Sequence, residues 1–96
     1  MAAYVIGRVT IHDPSWIENY IPKVQAQVDP YGGRYLVRNT EVDQLEGGVP
    51  PPSVAVVLEF PSIEDARAWY GSEEYKPYLN ARRAGATEEL LLIDGL

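Results

Sequence analysis

The sequence VAVVLEFPSIEDARAWY, residues 54–70, carries the clearest secondary-structure signals of the chain. Its first seven residues are almost entirely apolar and rich in valine, which predicts a strand over 54–60. Ser62 then precedes a run with helical spacing, and Asp65 three positions later completes a sequence close to a capping box. The stretch therefore predicts a strand followed at once by a helix, which Gly71 ends.

The same signals extend the pattern in both directions along the chain. Apolar and β-branched residues predict strands over 3–11 and 34–39, and the apolar spacing between them predicts a helix over 14–28. Towards the C-terminus we expect a further helical stretch capped by Ser72 and a strand over 89–94. This order is that of the split βαβ, or ferredoxin-like, βαββαβ fold, an α+β class with a four-stranded antiparallel sheet and helices on one face.

Length and composition limit the possible classes of protein. The chain has 96 residues, so we expect a single domain over 1–96 with one modest core. The net charge of −6 argues against nucleic acid or an anionic membrane as a partner. Cysteine is absent and there is one histidine, so thiol catalysis is excluded and we expect neither a metal nor a cofactor. Because no segment resembles a signal peptide or a membrane span, we expect a cytoplasmic protein.

Two of the predicted strands are apolar on both faces. Residues 54–58 and 90–93 carry apolar side chains at both parities, whereas a sheet with one face in water alternates. A single chain of this size has too few elements to cover both faces. We therefore expect a homodimer in which two sheets pack face to face about a two-fold axis. The alternative is that the proline-rich loop at residues 50–52 folds over the second face.

Charged side chains interrupt this otherwise apolar second face. Period-two alternation places four of them there, Arg8, Arg34, Arg38 and Glu59, with His12 at the end of the first strand. In one interpretation these charges pair across the dimer and fix its register. In the other, the three arginines bind a small anionic ligand in a cleft at the dimer interface, because guanidinium groups grip carboxylates and phosphates. Glu59 or His12 would then be the catalytic candidate that moves a proton.

Aromatic residues of the second helical region have two possible roles. Trp69, Tyr70 and Tyr75 could line a ligand pocket, but aromatic side chains on a short helix more often anchor it to the sheet. We therefore expect them to pack in the core. Gly32 and Gly33 lack the other residues of a phosphate-binding loop, so we predict a tight turn there.

Several of these segments together resemble a known family. They lie at residues 4–6, 13–14, 31–38 and 58–62, and the most specific is ARAWYGSEEY at 66–75, which is similar to the signature Ala-x-x-Trp-Tyr-x-Ser-x-x-Tyr. All of them resemble the DUF1330 family, small bacterial proteins of unknown function. That family looks like a branch of the dimeric α+β barrel superfamily, in which two ferredoxin-like sheets close into a barrel. The resemblance thus implies a fold and a homodimer. It implies no reaction, because superfamily relatives include cofactor-free monooxygenases, lactone isomerases and haem enzymes.

Three classes of function remain open. The first is an enzyme without metal or organic cofactor, of isomerase or monooxygenase type, that acts on an acidic or enolisable small molecule in the dimer cleft. The second is a module that binds such a molecule there without chemistry. The third is a structural or interaction dimer without a ligand. The arginine cluster favours the first two, because the third does not need it.

Overall fold

Four antiparallel strands form one sheet, and helices pack against one of its faces, in the computed structural model, which describes residues 2–96. Strands β1 to β4 span Ala3–Ile11, Arg34–Asn39, Val54–Phe60 and Ala86–Asp94. Helices α1 to α3 span Ile17–Val28, Ile63–Tyr70 and Lys76–Gly85, and short 3-10 turns cover Pro14–Trp16 and Asp29–Tyr31. The strand order β2-β3-β1-β4 and the chain order confirm the predicted ferredoxin-like fold. Within residues 2–96, no helix is both long and apolar enough to cross a membrane.

The start of α2 follows the predicted capping pattern, and the start of α3 does not. The Ser62 hydroxyl oxygen accepts from the backbone N–H of Asp65 at 3.1 Å, so the capping of α2 is confirmed. Ser72 was expected to cap the next helix, but its hydroxyl donates to the Trp69 carbonyl oxygen at 2.8 Å. This contact satisfies a carbonyl oxygen in the last turn of α2, and α3 begins only at Lys76.

The central strand β1 organises both the sheet and the core. It pairs with β3 on one side and β4 on the other, and the β4 ladder runs back to Ala86 opposite Ile11. This pairing makes β4 three residues longer at its start than predicted. Against the helix face, the Trp69 ring stacks on Phe60 with centroids 5.6 Å apart and lies 4.5 Å from Tyr75. Trp69 and Tyr75 are almost completely buried, which confirms their predicted core packing. The same prediction is wrong for Tyr70, which stays 38% exposed because it lies on the outer side of α2.

The opposite face of the sheet is open and largely apolar. Ile6, Leu91 and Ile93 lie on it with 40, 65 and 54% of their surface exposed. The carbonyl oxygen of Pro50 accepts a hydrogen bond from Arg8 at 3.1 Å at the edge of this face. Because the three apolar side chains stay exposed, the proline-rich loop does not cover the face.

Candidate functional site

A bulge in β2 divides the charged residues that the sequence placed on one face. The register of β2 against β3 shifts between Tyr35 and Val37, which inserts one extra residue into β2. Arg34 lies before the bulge and faces the open side, whereas Arg38 lies after it and faces the helices. The Arg38 guanidinium sits 5.0 Å from the Tyr35 ring centre and donates to the Gln25 amide oxygen on α1 at 3.3 Å. The prediction that Arg38 shares a face with the other three charges is therefore wrong.

The charges that remain on the open face pair with acids of the same chain. Arg8 lies 3.2 Å from Glu89, and Arg34 lies 2.8 Å from Glu59. Glu59 also accepts from the Tyr4 hydroxyl at 3.2 Å, and this hydrogen bond raises the pKa of Tyr4. Each pair is formed within one chain, so it does not depend on a partner. Anion binding by Arg8, Arg34 and Arg38 stays a prediction.

The two proposed catalytic candidates lie far apart. Glu59 pairs in register with Tyr4 near the start of β1, whereas His12 follows the other end of that strand. His12 is exposed, and its Nε2 lies 2.8 Å from the Thr87 hydroxyl. The structure does not bring the two groups together, and a catalytic role for either stays a prediction.

The structure holds a cavity of about 330 Å³ between the helices and the sheet. Aliphatic side chains from β1, β3, β4 and α1 make up much of its lining: Val5, Val9, Ile17, Ile21, Val54 and Leu90. The indoles of Trp16 and Trp69, the two tryptophans of the chain, also line it. This volume and apolar character are typical of small-molecule sites.

Four polar side chains meet within this apolar lining. Tyr20 comes from α1, Tyr75 from the turn before α3, Arg82 from α3 and Glu88 from β4. Nη1 of Arg82 donates to the Tyr75 oxygen at 2.6 Å and to the Tyr20 oxygen at 3.2 Å. The two tyrosine oxygens lie 2.6 Å apart. Nε of Arg82 forms an ion pair with the Glu88 carboxylate, and these two side chains are only 6 and 8% exposed.

Burial sets the protonation of this cluster. Desolvation raises the pKa of the Glu88 carboxyl, and the Arg82 charge opposes that shift. Desolvation also raises the pKa of Tyr20 and of Tyr75, again against the influence of Arg82. Both phenols are therefore neutral hydrogen-bonding groups at physiological pH. The cluster combines one ion pair with two hydroxyl groups in water-poor surroundings.

Sequence reasoning missed this cluster, although part of it left a signal. The last strand was predicted to begin at Glu89, which left Glu88 outside the sheet. In the structure Glu88 pairs in register with Val9 and lies on the same face as Leu90 and Leu92. A carboxylate at the parity of buried leucines indicates a paired interior charge. The signal becomes visible only when the predicted last strand is extended by three residues at its start, so that it includes Glu88.

A family model described as "Domain of unknown function (DUF1330)" matches residues 2–96. The chain belongs to the DUF1330 family. The resemblance seen in the sequence is therefore confirmed over nearly the whole chain. Among curated proteins, none matches this DUF1330 chain.

Solved structures show which fold this DUF1330 chain shares. The RPA0582 protein of unknown function from Rhodopseudomonas palustris has a TM-score of 0.82 at 14% identity, covering 99% of this chain and 82% of that one. SnoaB, a cofactor-independent oxygenase from Streptomyces nogalater, has a TM-score of 0.71 at 17% identity, covering 99 and 93%. A putative antibiotic biosynthesis monooxygenase from Nitrosomonas europaea has a TM-score of 0.71 at 12% identity, covering 99 and 90%. The chain thus shares the ferredoxin-like α+β fold of these structures.

Proposed function

We propose that this DUF1330 chain binds a small, mainly apolar molecule in the cavity between its helices and its sheet. We further propose that it acts on that molecule as a cofactor-independent enzyme of isomerase or monooxygenase type. The observation that carries the proposal is the Arg82–Glu88 ion pair, joined to two tyrosine hydroxyls, in the wall of a mainly apolar cavity.

A purely structural role explains this arrangement less well. A buried ion pair contributes little net stability, because desolvation of both charges offsets their attraction. An empty cavity of this size also lowers the stability of a fold, because the side chains that line it lose packing contacts. The indole nitrogen of Trp69, 2% exposed, finds no acceptor among residues 2–96. A ligand with an acceptor atom would fill the space and satisfy that donor.

The chemistry of the cluster suits proton transfer at a carbon next to a carbonyl group. Glu88 is a carboxylate whose pKa burial raises, which brings it closer to the pKa that a general base needs at neutral pH. Arg82 and the one tyrosine hydroxyl hydrogen that the contact between the two phenol oxygens does not use offer hydrogen bonds to an oxygen on which negative charge develops. The cofactor-independent oxygenase among the structurally similar proteins supports this class by fold alone.

The site proposed here differs from the interface cleft expected from the sequence, but the homodimer remains part of the proposal. The exposed Ile6, Leu91 and Ile93 form an apolar surface of a kind that soluble monomers rarely leave bare. The paired charges Arg8–Glu89 and Arg34–Glu59 lie on the same face. A second copy that packs sheet against sheet would cover it. This face favours, as the second candidate function, an interaction dimer without a ligand.

The ligand proposal can be tested by tryptophan fluorescence. Both tryptophans line the cavity, so their emission reports on its contents. Titration with 2-tetralone, a compact enolisable ketone, should give a saturable change. Ile17→Phe, which fills the cavity, should weaken this binding at least tenfold. Leu45→Phe adds the same ring on an exposed loop and should leave it unchanged. Equal binding by all three proteins, or no saturable change in the wild type, would refute the pocket.

The catalytic part is tested on the same ketone. Incubation with the protein in air, with mass spectrometry and an oxygen electrode, should detect an isomerised or oxygenated product above the rate without protein. Glu88→Gln should lower that rate at least tenfold. If several enolisable ketones bind and all are recovered unchanged, the proposed enzymatic activity is refuted and the protein is a binding module.

A further inference from the structure

The cluster of Tyr20, Tyr75, Arg82 and Glu88 contains one hydroxyl hydrogen that none of its internal hydrogen bonds uses. Tyr20 and Tyr75 each bring one such hydrogen, and their 2.6 Å contact consumes one, because only one oxygen can donate in it. Arg82 adds its own hydrogens to both oxygens and accepts none. One hydroxyl hydrogen is therefore free to bind something outside the cluster.

The geometry points to Tyr20 as the holder of that hydrogen. Nη1 of Arg82 is closer to the Tyr75 oxygen, at 2.6 Å, than to the Tyr20 oxygen, at 3.2 Å. The nearer positive charge polarises the Tyr75 hydroxyl more strongly and makes it the donor to Tyr20. Tyr75 is also fully enclosed, with its ring 4.5 Å from that of Trp69, whereas Tyr20 on α1 is only partly buried.

Two tryptophans of the lining also carry hydrogen-bond donors that have no partner within residues 2–96. The indole N–H groups of Trp16 and Trp69 are buried and meet no acceptor among the described residues. The carboxylate of the lining, Glu88, is paired with Arg82. These unpaired donors favour a ligand that brings an acceptor oxygen.

We propose that the Tyr20 hydroxyl donates a hydrogen bond to a carbonyl or enolate oxygen of the bound molecule. The ligand class is then a small, mainly apolar molecule that carries a carbonyl group. This inference rests on the proposed function, because it assigns the polar contact within the same cavity. Tyr20 is a binding residue that fixes the orientation of the oxygen, and Arg82, which donates to the Tyr20 oxygen, positions its hydroxyl.

The test compares 2-tetralone with tetralin, a hydrocarbon of nearly the same shape that lacks the oxygen. The quantity measured is the ratio of their dissociation constants, taken by tryptophan fluorescence in each variant. In Tyr20→Phe the preference for the ketone should fall about five- to tenfold, the size expected for one lost hydrogen bond of about 1 kcal/mol. The dissociation constant of tetralin should differ by no more than about twofold between Tyr20→Phe and the wild type, because tetralin has no oxygen to accept this hydrogen bond.

Tyr75→Phe is the matched control. It removes a hydroxyl from the same cluster but leaves Arg82 bonded to Tyr20, whose hydrogen remains free. The ketone preference should therefore be retained. A preference lost in Tyr75→Phe and kept in Tyr20→Phe would overturn the assignment. A preference unchanged in both would show that the carbonyl does not meet the cluster.

Two further results separate the possible failures. If the wild type binds neither compound, the proposed function fails and this inference fails with it. If Tyr20→Phe does not fold, the infrared carbonyl stretch of 2-tetralone bound to the wild type decides the question. A frequency below that in hexane supports the hydrogen bond, and an unshifted frequency refutes it.

Discussion

Replacing the buried ion pair one partner at a time should cost far more than replacing both. Arg82→Met leaves the Glu88 carboxylate buried without its counter-charge. Glu88→Leu likewise leaves the Arg82 guanidinium buried without a counter-charge, although its hydrogen bonds to the two tyrosines remain. Each change should lower the free energy of unfolding by about 3–5 kcal/mol. The double variant buries no unpaired charge and should lose less than either single one. The coupling energy is then about 3 kcal/mol or more.

The chain supplies its own control on the opposite face of β4. Arg8 and Glu89 form a pair of 3.2 Å whose side chains are 41 and 71% exposed. The same double-mutant cycle there, with Arg8→Met and Glu89→Leu, should give a coupling of about 0.2–1 kcal/mol. Urea denaturation of all variants at neutral pH measures both cycles. Equal coupling in the two cycles would refute the view that Arg82 and Glu88 are desolvated.

The buried pair also predicts a dependence on pH. In Arg82→Met the charge that lowers the pKa of Glu88 is gone, so burial raises that pKa further above its value in the unfolded chain. A carboxyl with a raised folded pKa stabilises the fold below its unfolded pKa and loses that contribution as the pH rises through the folded value. The stability gap between Arg82→Met and the wild type should therefore shrink on acidification. A gap that is constant or widens towards acid would contradict the argument.

Three further changes test the fold and the assembly. The protein should scatter light as a homodimer of twice 10.7 kDa, and Ile93→Glu on the open face should make it monomeric whereas Leu45→Glu should not. A wild type that is monomeric at micromolar concentration would refute the dimer. Trp69→Ala should cost about 3–5 kcal/mol of stability, seen as a large fall in melting temperature, and an unchanged melting temperature would be incompatible with its burial. Gly85→Ala should cost about 1–3 kcal/mol, because a Cβ there meets the Trp16 ring. Gly48→Ala, with open space around it, should change stability little, and equal losses would refute the clash.

The strands were predictable because their residue types carry the signal directly. β1, β2 and β3 begin and end where apolar and β-branched residues predict. The bulge in β2 was not predictable, since no glycine marks the extra residue. The polar cluster was out of reach for another reason. Tyr20 and Tyr75 are 55 positions apart in the chain, and only the packing of α1 against the rest brings their oxygens together.

The extra residue in β2 has a consequence for comparing this protein with its relatives. Every side chain after Leu36 changes sides if the strand loses or gains one residue there, because alternation along a strand has a period of two. An arginine aligned with Arg38 in a homologue can thus belong to the interior in one protein and to the exterior in another, although the letters match. The insertion or deletion of one residue is enough to move the guanidinium from the interior face of the sheet to the exterior face, or the reverse. In this strand, roles should be transferred between homologues by backbone pairing and not by aligned letters.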